Sequence, residues 1–251
     1  MRTNYLSTTA FICLEWKTIP WSAHPKWPKD KLLDILVEVP GILQDMAILK
    51  TFTRQPEKQH FLRQVLEESC WWCDRQLLLW STSCGAAVVT FVESLIAVQD
   101  LDDNSKESAP PSTDLAMAHL GMIYWTTYNL LSQILSWLRG PGPSREDTTP
   151  LPPRLDAHLY SHKVALLIPY FKKPGVGFYL ISFIGFPVAV AASFLARQDS
   201  VGTFSEARAL LVRAFRGERG KQLQGFLATW PWMTRSELDT LGMTGSHAAA
   251  T

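Results

Sequence analysis

The chain has 251 residues, 47% of them hydrophobic and 11% aromatic, enough to bury a full core. Lys plus Arg number 24 against 23 Asp plus Glu, a formal charge of +1. That balance lacks the basic excess of a module that neutralises many phosphates, so autonomous DNA binding is not expected.

Helical periodicity dominates from the first element onward, and strand-like alternation is nearly absent. The weakly apolar opening NYLSTTAFICLEW reaches Glu15 without the apolar core or cleavage site of a secretory signal, which points to a reducing intracellular compartment. Asp30 can cap KLLDILVEV, Pro40 and Gly41 should interrupt it, and ILQDMAILKTF resumes the pattern. Pro56 then opens a long helix through KQHFLRQVLEESCWWCDRQLLLW.

Cys70 and Cys73 have the two-residue spacing of a zinc knuckle or a dithiol redox pair. Neither motif is completed. Cys13 and Cys84 make no second close pair, and no strand leads into the segment. Leu62, Leu66, Cys70, Cys73, Leu77 and Trp80 follow one another at steps of four, four, three, four and three, so both thiols are expected in a core stripe.

GAAVVTFVESLIAVQ forms the next helix, and the polar DLDDNSKESAPPSTD is a surface loop ending in a cap at Ser112 or Thr113. Residues 140–154, GPGPSREDTTPLPPR, make the clearest break in the chain, a proline- and glycine-rich surface linker between two groups of helices. LDAHLYSHKVALLIPYF is helical, KKPGVG turns, and an apolar element runs to Arg197. Three shorter helices close the chain, TFSEARALLVRAFRG, ERGKQLQGFLATW and TRSELDTLG. Capping-box spacings occur at Thr203 with Glu206 and at Thr234 with Glu237, and the tail MTGSHAAAT should fray.

Two charge-free runs, Leu115 to Leu138 and Pro174 to Ala196, exceed the roughly 20 residues needed to span a bilayer. In the first, Thr126, Asn129, Gln133 and Ser136 form a polar stripe, which favours an amphipathic helix with one wet or hydrogen-bonded side. In the second, Gly185 and Pro187 divide FYLISFIGF from PVAVAASFLA, two helical pieces meeting at a kink and wrapped by protein. The expected fold is therefore all-α, a multi-helix bundle over residues 1–251 with a buried, kinked central region near 176–196. An integral membrane helical protein is the alternative.

Catalytic constellations are thin. No nucleophile elbow, Walker loop or dinucleotide-binding glycine pattern occurs, and KKPGVGFYL has two glycines without the third. His158 and His162 stand one helical turn apart as zinc ligands can, yet no third ligand is signalled nearby, which leaves a metal-dependent enzyme the weakest of the alternatives. Arg208, Arg213, Arg216, Arg219 and Lys221 make the last third locally basic and read best as a solvated helix face. Trp71, Trp72, Trp80, Trp125, Trp137, Trp230 and Trp232 read as core fillers rather than stacking platforms. No residue is nominated as catalytic, cofactor-binding or metal-binding, and no cofactor is expected.

Several stretches carry a likeness to a known family. They are TIPWSAHPKWPKDKLLDILVEVPGILQDMAIL, DLAMAHLGMIYWTTYNLLSQIL, KVALLIPYFKKPGVGFYLISFIGFPVAVAASFLA and RGERGKQLQGFLATW, together spanning roughly residues 10 to 240. The pattern resembles the helical regulatory domain of fungal binuclear zinc cluster (Zn2Cys6) transcription regulators. That cluster needs six cysteines in two groups of three, whereas this sequence has four, none so arranged. The resemblance thus implies a regulatory domain without its own DNA-binding cluster, located in the nucleus. It would bind protein partners, either DNA-bound regulators or co-regulators, or a small effector, and it allows a homodimer. Control of local gene clusters, including those for secondary metabolism, is the role the resemblance suggests.

Overall fold

In the computed structural model the described residues are 14–52, 55–98, 109–140, 150–176, 179–198, 205–230, 233–234, 236–237 and 241. Cys13, most of the 99–111 loop, residues 141–149 of the linker, Thr203, Trp232 and the tail lie outside them. Ten α-helices and no strand occur among the described residues: α1 Leu14–Thr18, α2 Pro28–Leu36, α3 Glu38–Leu49, α4 Pro56–Thr82, α5 Ala86–Val98, α6 Ser112–Leu138, α7 Ala157–Lys172, α8 Tyr179–Gln198, α9 Glu206–Ala214 and α10 Gly217–Ala228. The fold is all-α, a packed multi-helix architecture.

The chain divides into two compact units, residues 1–87 with 130–155, and residues 88–129 with 156–251. The divisions fall inside α5 and α6 and after Leu155, so the long α6 contributes its first turns to one unit and its last turns to the other.

In the first unit α2, α3 and α4 pack together. The structure starts α2 at Pro28, with Asp30 at the third helical position; its carboxylate accepts the Trp27 N–H at 3.0 Å rather than capping the helix itself. The break between α2 and α3 falls at Val37, and Pro40 and Gly41 sit inside α3. A proline so near a helix start loses nothing, because amides of the first turn have no intrahelical acceptor. Leu32, Ile35, Val39, Ile42 and Leu49 meet Leu66, Cys70, Cys73, Leu77 and Trp80 of α4, all buried. Leu131, Ile134, Leu135, Leu138 and Leu155 complete this core. The Trp80 indole donates to the Pro28 carbonyl at 2.8 Å, and its ring fills the space where a side chain at residue 85 would stand, which requires Gly85.

In the second unit α7 packs on α8 and α9, and α10 packs on α8. Asp156 caps α7, its side chain accepting the His158 N–H at 2.9 Å. A single helix carries both Gly185 and Pro187 where the sequence suggested two pieces; Pro187 cannot donate to the Phe183 carbonyl, so its turn is held by packing. Leu180, Ile184, Val188, Ala189, Ala191, Ala192 and Leu195 are essentially inaccessible there, against Val164, Ala165, Leu167, Ile168 and Phe171 of α7. Ser205, not Thr203, caps α9, its hydroxyl accepting the Arg208 N–H at 3.2 Å. Gly217, at φ +77°, turns the chain between α9 and α10 in the left-handed region that favours glycine. The second capping box forms as spaced: Thr234 N–H donates to Glu237 at 2.6 Å and Glu237 N–H donates to the Thr234 hydroxyl at 3.3 Å.

α6 begins at Ser112, with the Pro111 carbonyl accepting the first helical bonds, so Ser112 and Thr113 lie inside its first turn. Its polar stripe is divided. Thr126 is buried and returns its hydroxyl to the Met122 carbonyl at 2.7 Å, and Asn129 is buried and donates to the Ala157 carbonyl at 3.1 Å and the Ser161 hydroxyl at 2.7 Å. Gln133 is half-buried and Ser136 exposed.

Candidate functional site

The paired thiols sit where the 3–4 spacing puts them, on the inward stripe of α4, and neither Cys70 nor Cys73 is in a disulfide. Burial first, then the neighbouring Cys73 and Glu67, pushes the Cys70 thiol well above its ordinary range. A thiol held protonated is a poor nucleophile and a poor metal ligand, so this position behaves as core. Cys84 is half-buried.

The two histidines do not converge on a site. His158 is exposed and meets the Phe194 ring edge-on at 4.8 Å, while His162 Nε2 stands 3.8 Å from Glu206. Among the described residues no group of three or more His, Cys, Asp or Glu side chains is arranged to hold a metal ion.

The basic stretch separates into different environments. Arg208 is buried, Arg213 and Arg216 are exposed, and Lys221 pairs with Glu218 one turn away at 2.8 Å. Of the tryptophans, Trp80 and Trp125 are core, Trp71 lies under the Arg139 guanidinium at 5.3 Å, and Trp72 and Trp137 are partly exposed. Lys50 and Arg63 flank the Trp137 ring at 5.3 and 6.0 Å.

What the structure does assemble is apolar surface in the first unit. The aromatic–proline opening, residues 18–28, is pinned by two lysines. Lys17 donates to Glu38 at 2.5 Å and to the Asp34 carbonyl at 3.2 Å, and Lys26 pairs with Asp34 while lying over the Trp21 ring at 5.8 Å. The segment so fixed leaves Ile19 at 66% and Trp27 at 74% exposed. A fixed backbone presenting a tryptophan to water is the arrangement of a binding anchor, since an aromatic side chain loses little rotamer freedom on docking. Sequence spacing assigned seven other tryptophans to cores and passed over Ile19 and Trp27; Pro20, Pro25 and Pro28 beside them, which disfavour one continuous helix, were the available signal.

The second apolar surface is on α4. Phe61 and Leu79 are 67% and 60% exposed, and Trp72 and Leu78 are partly so. One flank of α4 is closed by ion pairs: Arg139 on Glu67 at 3.0 Å, and Arg154 on both oxygens of the buried Asp74 at 3.1 and 2.8 Å. Arg154 thereby ties the end of the proline-rich segment to the middle of α4.

No protein-family model matches the chain, and no significant match was found among curated proteins or solved structures.

Proposed function

We propose that the chain is a regulator-type helical module that modulates transcription in the nucleus by binding a DNA-bound regulator or co-regulator, rather than by contacting DNA. The observation that carries this reading is the pinned aromatic–proline opening with Ile19 and Trp27 facing solvent. The same stretch is the first of those that resemble the regulatory domain of the fungal zinc cluster regulators, and a near-zero net charge suits protein contact better than phosphate contact. A gene cluster, of the secondary-metabolite kind the resemblance suggests, is the proposed target, and the mechanism is one of docking with no bond made or broken.

The test is to tether the chain to an unrelated DNA-binding domain beside a reporter in the source cells. Reporter output should change several-fold, and Ile19→Ser with Trp27→Ser should remove the change while leaving the circular dichroism spectrum intact. A reporter indifferent to the tethered chain, with transcript levels unmoved by deleting the gene, would refute the reading.

One observation favours a second reading. The Leu180–Gln198 stretch of α8 has a mean hydropathy of 1.8 and is long and apolar enough to cross a bilayer. Two-thirds of that window is nonetheless buried inside the protein, as in the central helix of a bundle. An integral protein would pellet with membranes after an alkaline wash; the docking module would stay in the supernatant.

A further inference from the structure

α4 carries two separate stripes, one on each of two faces. The inward face, Leu66, Cys70, Cys73, Leu77 and Trp80, is the core stripe. The outward face runs Phe61, Val65, Glu68, Trp72, Arg75 and Leu79, at steps of four, three, four, three and four. That is the heptad spacing of a helix seam, continued for 19 residues and turned about 140° from the core stripe at 100° per residue. Its large members are open to water, with Val65 half-buried between them. Leu78 widens the strip on one side. The two charges within it, Glu68 and Arg75, are both exposed and take part in no ion pair or hydrogen bond among the described residues.

An apolar seam interrupted by one acid and one base selects its own partner. Laid parallel and in register on an identical helix, the strip would set Glu68 on Glu68 and Arg75 on Arg75, which is repulsive. Laid antiparallel about a two-fold axis near Cys70, it sets Phe61 on the second copy's Leu79, Val65 beside Arg75 and Glu68 beside Trp72. In that register Glu68 lies one turn, about 4.5 Å along the axis, from the second copy's Arg75. Two-fold symmetry makes each contact twice. The seam is therefore complementary to itself in one direction only, in charge and in apolar shape together.

We propose that the outward face of α4 binds a second copy of this chain as an antiparallel helix pair, with Glu68 and Arg75 of the two copies forming two symmetric ion pairs. The residues it uses are distinct from Ile19 and Trp27, so the pairing stands or falls independently of the regulatory reading. With two charged positions in a short seam, the dimer is weak and reversible.

The experiment is sedimentation velocity of the full chain over a loading range of about 1 to 200 µM, which brackets a weak self-association. The wild type should shift from monomer to dimer with concentration. Glu68→Arg alone and Arg75→Glu alone should each weaken the dimer about tenfold or more, because each sets like charges together twice. The double variant Glu68→Arg with Arg75→Glu should restore it. Both positions are exposed, and unchanged helical circular dichroism in each variant separates lost pairing from lost folding. A wild type that stays monomeric throughout, a dimer indifferent to either single reversal, or a double reversal that stays monomeric would each overturn the proposal, the first leaving the face to a different protein.

Discussion

α8 and α4 are both long and rich in apolar side chains, and they spend them in opposite ways. α8 has no charge from Tyr179 to Ala196, and its middle and later turns are almost wholly buried. α4 carries acids and bases along its length, yet it holds Phe61, Trp72, Leu78 and Leu79 at the surface. Absence of charge therefore marks the helix that other helices surround, whereas the helix with charges is the one with apolar surface to offer. The physical reason lies in one flank. Glu67 and Asp74, seven residues apart on one side of α4, each take an arginine from the segment after α6, which secures that side and leaves the face bearing Phe61, Trp72 and Leu79 uncovered.

The sharpest way to break this comparison is a charge inside α8. Val188→Asp puts an unpaired carboxylate at a position with no solvent access, and the expected loss of about 4 kcal/mol or more should leave the second unit without a cooperative thermal transition. A helix open to water at that point would tolerate it far better.

Arg154→Ala tests the flank of α4. It leaves Asp74, 1% exposed, without its bidentate partner, and because Arg154 itself is 40% exposed the expected cost is about 2–4 kcal/mol in chemical denaturation. Asp74→Asn with Arg154→Ala should recover part of it, since the orphaned charge is then gone.

A smaller effect sits at the end of α8. Glu237 is partly buried, which opposes its ionisation, but the Thr234 N–H and hydroxyl and the Arg197 guanidinium at 2.7 Å together hold its carboxyl below the ordinary glutamate range. A carboxyl lowered on folding adds stability that is complete above the unfolded value of about 4.3 and disappears as pH falls through the lower folded-state value. Glu237→Gln should therefore flatten the acid limb of a melting-temperature profile below about pH 4.3. A variant that merely lowers the whole profile by a constant would show that the contact matters for packing instead.

The smallest effect is expected where the exposed side chains are largest. Phe61→Ser and Leu79→Ser, measured in dilute protein, should change stability by no more than about 0.5 kcal/mol, because neither side chain is withdrawn from water in the single chain. A loss of the size seen for core leucines would place these residues in an interior and remove the contrast between the two helices.

The parts of the fold legible in the sequence were those governed by one helix at a time. The stripe through Cys70 and Cys73 could be read because 3–4 spacing is a local rule, and the Thr234–Glu237 box formed because its two partners are one turn apart. Boundaries slipped where a residue has two good positions: Asp30 serves at the third helical position as well as at a cap, and Pro40 is as welcome early in a helix as after one. The Asp74–Arg154 pair joins residues 80 apart and left no local trace. The outward seam of α4 escaped for a different reason, since a second apolar stripe well round the helix from the first weakens the one-sided pattern by which a surface helix is recognised. Ile19 and Trp27 were passed over because helical spacing says little about a short stretch broken by prolines.

The contrast between the two helices can be read in a single measurement, hydroxyl-radical footprinting of dilute native protein with residue-resolved mass spectrometry. The account predicts strong oxidation at Phe61, Trp72 and Leu79 and protection at Leu180, Ile184 and Leu195 until the protein is unfolded. Oxidation of the α8 residues in the native protein at the rate of Phe61 and Leu79 would contradict it.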